Sequence, residues 1–78
     1  MEREKMLAAL SNAYTDIYGE YETLSELAKE LLHDGEDKAY QSISRRAQGK
    51  SHMLDGIKLA AAALGITLEE IVQKEAHT

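Results

Sequence analysis

Cysteine and proline are both absent from the 78 residues. Without cysteine the chain forms neither disulfides nor thiolate metal sites, and nothing in it calls for an oxidising compartment. Without proline, and with β-branched residues sparse, long helices are permitted. Long apolar runs are missing too. The longest, Leu59 to Leu64, is far short of the ~20 residues of a membrane span. The opening Met1-Glu2-Arg3-Glu4-Lys5-Met6 is charged and lacks the apolar core of a secretory signal. The expectation is a cytoplasmic protein with no membrane association.

The length allows one domain, residues 1–78. A domain of this size buries only about 60% of the surface its unfolded chain exposes, so its own core is marginal. With disulfides excluded, oligomerisation is the expected remedy. A formal charge of −5 argues against non-specific nucleic-acid binding by the molecule as a whole. The charge is uneven, with ten acidic and three basic side chains in residues 1–37 against four and six in 38–78.

What the chain does have is helical periodicity. Leu7, Leu10, Tyr14, Ile17, Tyr21, Leu24, Ala28 and Leu31 alternate steps of three and four, an unbroken heptad seam. His33-Asp34-Gly35-Glu36-Asp37 interrupts it, and Gly35 suits the left-handed conformation that ends a helix. Tyr40, Ile43, Ala47, Lys50, Leu54, Ile57, Ala61 and Leu64 repeat the spacing up to Gly65. Thr67-Leu68-Glu69-Glu70 reads as a capping box opening a short third helix.

Folding the seams together at Gly35 pairs Ala28 with Ile43, Leu24 with Ala47, Tyr21 with Lys50, Ile17 with Leu54, Leu10 with Ala61 and Leu7 with Leu64. Each seam alanine then meets a larger side chain, as interdigitating layers require. The spacing therefore predicts an all-α fold: an antiparallel helical hairpin, about 4–33 and 36–64, plus a short helix at about 68–76. Apolar residues beyond the seam imply dimerisation into a four-helix bundle. Tyr18, Leu27, Leu32, Met53, Leu59, Leu68 and Ile71 are the expected interface with a second copy or another protein.

Chemistry is poorly represented. Glu30-Leu31-Leu32-His33 has the Glu-x-x-His spacing of di-iron bundles, but it occurs once, beside the turn. The acids of the turn lack calcium-loop spacing. Ser51, His52 and Asp55 share one helix and make no ordered relay. No catalytic, metal or cofactor residue is expected, and the chain reads as a non-enzyme. The acids Asp16, Glu20, Glu22, Glu26 and Glu30 line the outer side of the first helix. Arg45, Arg46, Lys50 and Lys58 form the one basic concentration, a possible contact for nucleic acid or an acidic partner.

Residues 23–72 also resemble phage-repressor-type helix-turn-helix domains. Thr23-Leu24-Ser25-Glu26-Leu27-Ala28-Lys29-Glu30-Leu31 is similar to that family's first motif helix. Ser42-Ile43-Ser44-Arg45-Arg46-Ala47-Gln48-Gly49-Lys50 is similar to its recognition helix, and Ala63-Leu64-Gly65-Ile66-Thr67-Leu68-Glu69-Glu70 to a later junction. The resemblance implies DNA contact near Gln41, Ser42, Ser44, Arg45, Arg46 and Lys50. Two expectations thus compete: a homodimeric, non-enzymatic helical protein-binding module, and a DNA-binding repressor-like domain. An unbroken helix through Tyr40–Leu64 fits the first, and a break at Gly49–Ser51 the second.

Overall fold

The computed structural model describes residues 2–76, and side-chain surroundings as far as Val72. Residues 1, 77 and 78 of the expected single domain lie outside this range. Three helices follow in order: α1, Arg3–His33; α2, Asp37–Ala63; and α3, Leu68–Ala76. No strand occurs among the described residues. The two long helices pack against each other as a hairpin, and α3 lies mainly on α1. No helix is long and apolar enough among the described residues to cross a membrane.

Both reversals are built the same way. Gly35 and Gly65 hold φ of 78° and 73°, and no other described residue has positive φ. At the first, the Gly35 amide donates to the Leu32 carbonyl (3.2 Å) and the Glu36 amide to Leu31 (2.9 Å). At the second, Gly65 donates to Ala62 (3.1 Å) and Ile66 to Ala61 (2.8 Å). These paired bonds are the Schellman motif, which satisfies the last carbonyls of a helix only if the capping residue turns left-handed.

The second motif has the accompanying apolar contact as well. Ile66 returns onto Ala61, and the two form a buried cluster with Ile71. A Cβ at Gly65 would meet nothing within 4 Å, so any penalty there is one of backbone conformation. Gly65→Ala is expected to lower stability by about 1–2 kcal/mol, measured by urea unfolding. A neutral substitution would show that the left-handed residue is not what holds α3 in place.

The third helix opens on the predicted capping box. The Glu70 amide donates to Thr67 Oγ1 at 3.2 Å, and the Thr67 amide donates to Glu70 Oε1 at 3.3 Å. This reciprocal pair satisfies two of the amides that a helix start leaves open. A helix of nine residues is too short to hold alone in water, so it depends on docking. Ile71, with 0% exposure, supplies the anchor, beside Ile66 and Ala61. Met6, Leu7, Leu10, Tyr14 and Ile57 pack around them.

Every seam residue is buried or half-buried except Leu64. There the expected Leu7–Leu64 layer needs correction. Helix α2 stops at Ala63, so Leu64 is its cap and stays 44% exposed. The Gly65 turn then brings Ile66 back to the core, at 3% exposure. Extrapolating the heptad one residue past the helix end picked the wrong side chain.

Candidate interaction surfaces

Tyr18, Leu27, Leu32, Met53, Leu59 and Leu68 are all exposed, from 39% at Leu68 to 74% at Leu59. Ile71, grouped with them as an interface residue, belongs instead to the chain's own core. With 0% exposure it offers nothing to a partner. Helical geometry separates the exposed six. Leu27 and Met53 each immediately precede a seam residue, Ala28 and Leu54, and share one face of the hairpin. Tyr18 and Leu32 each immediately follow one, Ile17 and Leu31, and share the opposite face.

The face of Tyr18 and Leu32 is the one that carries α3. Ser11, fully buried on this side of α1, donates its Oγ to the Ile71 carbonyl at 3.2 Å. Next to it the rings of Tyr14 and Tyr18 stack with centroids 5.8 Å apart, and Tyr18 lies 6.4 Å from Tyr21. Val72 borders a hollow beside Tyr14 and Tyr18. Towards the Gly35 turn, where α3 no longer reaches, the two long helices leave a groove of 290 Å³. Its lining includes Tyr21, Ser25, Ala28, Tyr40, Ala47 and Ser51. The serines were not read as groove lining from the sequence because serine carries no hydrophobic signal. Serines beside the seam at heptad spacing, Ser11 and Ser25 two heptads apart and Ser44 and Ser51 one heptad apart, are the pattern that marks them.

Charges are distributed differently. Lys50, the polar seam residue, reaches past Tyr21 to an ion pair with Glu20, on the face of Leu27 and Met53. Its stem stays half-buried and its ammonium leaves the seam, the snorkelling arrangement. Lys58 sits 3.9 Å from Asp55. Arg45 and Arg46 are exposed and make no ion pair among the described residues. The basic concentration is therefore partly neutralised within the chain.

Helix α2 runs unbroken through Gly49–Ser51. Gly49 is not left-handed, and no proline stands nearby to end the helix. The turn after the recognition helix that the repressor-type resemblance implies is thus not formed. Among the described residues no group of three or more metal-ligating side chains comes together. Ser51 is half-buried, whereas His52 and Asp55 are exposed.

A polar latch closes the open end of the hairpin. Arg3 Nη2 donates to Glu70 Oε2 at 2.7 Å and to the Gly65 carbonyl at 3.2 Å. The Arg3 guanidinium, followed by the Thr67 amide, holds the Glu70 carboxyl below its ordinary range. A depressed pKa contributes stability above the unfolded carboxylate value of about 4.3, lost as pH falls through the folded value. The stability of the wild type relative to Glu70→Gln should accordingly be constant near neutrality and shrink below about pH 4.5. Thermal unfolding of both proteins across pH 3–7 checks this, and a difference that grows on acidification would reverse the assigned sign.

No protein family, curated protein or solved structure matches the chain.

Proposed function

We propose that the protein is a non-enzymatic helical interaction module that works as a homodimer, two hairpins joining as a four-helix bundle. Its surface carries this reading. The accessible area is 5707 Å² for 8.7 kDa, whereas a compact monomer of that mass exposes about 4,700 Å². The radius of gyration, 15.1 Å, likewise exceeds the about 11.5 Å of a compact chain of this length. The excess of about 1,000 Å² is comparable with the ~800 Å² that each partner buries in a standard interface.

The shape explains the excess. A body of 49 × 23 × 15 Å is one hairpin with α3 laid along part of a single face, so its seam is covered from few directions. Burial of a second face would complete it. The acidic outer side of α1 and the exposed Arg45 and Arg46 then remain as surfaces for a further protein partner.

Sedimentation between about 1 and 100 μM should show a dimer, and the melting temperature should climb with protein concentration, as mass action requires when only the folded dimer associates. A monomer throughout, with melting independent of dilution, would sink the proposal.

A further inference from the structure

The homodimer reading leaves open which face is shared, and the hairpin has two. The face of Leu27 and Met53 carries the Glu20–Lys50 ion pair across its middle, with Arg46 exposed beside it. Burying those charges would take them out of water with no new partner to compensate. On the α3-bearing face the charges lie outside the groove: Glu22 follows Tyr21 beside the hollow at Tyr18, and Asp55 and Lys58 stand further along α2. Its groove is bordered by one formal charge, Lys29, and its floor is alanine and serine.

That open half also repeats the seat on which α3 lies. The seat uses Ser11 on α1 and Ala61 on α2, with 0% and 1% exposure. Two heptads along α1 stands Ser25, and two heptads back along α2 stands Ala47, both lining the groove. A spacing of two heptads returns a side chain to nearly the same angle on its helix, about 21 Å further on. The groove is therefore a second, empty copy of a helix seat, continuous with the first.

We propose that a second copy of the chain covers this open half, the two hairpins lying antiparallel about a two-fold axis beside Tyr18. The axis falls midway between seat and groove, and a half-turn about it exchanges them, as an isologous interface demands. Each α3 then lies over the groove of the other copy. It brings the exposed Leu68 and Val72 towards Tyr21, Leu32 and Tyr40, and its exposed Glu69 towards Lys29. Tyr18, 43% exposed, meets its own equivalent. Asp55 and Lys58, further along α2 from Ser51, pair with one another outside the groove lining.

Because the chain has no cysteine, single-cysteine variants report the face directly. Sedimentation of the wild type comes first, since a monomer removes the homodimer reading and this assignment with it. Given a dimer, Tyr18→Cys treated with a short bismaleimide should cross-link at least tenfold faster than Leu27→Cys or Leu59→Cys. Mixed Leu32→Cys and Leu68→Cys proteins should cross-link to each other, a second probe should Tyr18→Cys fold poorly. A dimeric wild type in which Leu27→Cys or Leu59→Cys links as fast, or in which neither expected pair links, overturns the assignment while leaving the dimer intact.

Discussion

Ile71→Ala is expected to destabilise the protein by about 3 kcal/mol, within the range of aliphatic core truncations. Ile71 has no exposed surface, and its side chain is the deepest contact of a helix too short to persist undocked. Its backbone is engaged as well, through Ser11 Oγ. The loss should be local in character. Once the anchor is gone, α3 leaves its seat at modest cost while the hairpin persists, so hydrogen exchange in α3 should approach that of a free peptide before α1 and α2 change. Urea unfolding together with amide exchange tests both points. A loss below about 1 kcal/mol, with α3 amides still protected, would mean that another contact holds the helix.

Ala61→Leu should cost about 2 kcal/mol for the opposite reason, overpacking. Ala61 is 1% exposed where α2, α1 and the returning Ile66 converge. Three added carbons there have no space to enter without displacing Leu7, Leu10 or Ile71. Ala60→Leu, one position earlier and exposed, adds the same atoms towards solvent and should change stability by less than about 0.5 kcal/mol. Equal effects at the two positions would show that helix propensity, not layer spacing, sets the response.

These positions also show what the sequence could and could not disclose. The hairpin was legible because two seams of eight positions, apolar except at Lys50, obey one period, and a glycine stands where each helix must reverse. The capping box was legible because its residues are local. The identity of the α3 anchor was not, since Leu68, Ile71 and Val72 lie within five residues, and periodicity cannot rank them until the direction of docking is known. Nor was the latch, whose members Arg3 and Glu70 stand 67 positions apart. Lys50 was half legible. Its place on the seam followed from spacing, but Glu20 as the destination of its ammonium depends on which way the stem leaves the layer. The repressor-like segments read well as local strings, and the unbroken α2 shows that similar strings sit here within continuous helices.

The separation of Arg3 from Glu70 has a consequence for biosynthesis. The latch cannot close until nearly all of the described chain has been polymerised. At about 5–20 residues per second, the roughly 30 residues that follow α1 take a few seconds to add. Through that interval α1 has its whole seam, Leu7 to Leu31, without the α2 that will cover it. Nascent chains on neighbouring ribosomes of one message present identical bare seams at close quarters. Such helices can meet each other before either meets its own second half.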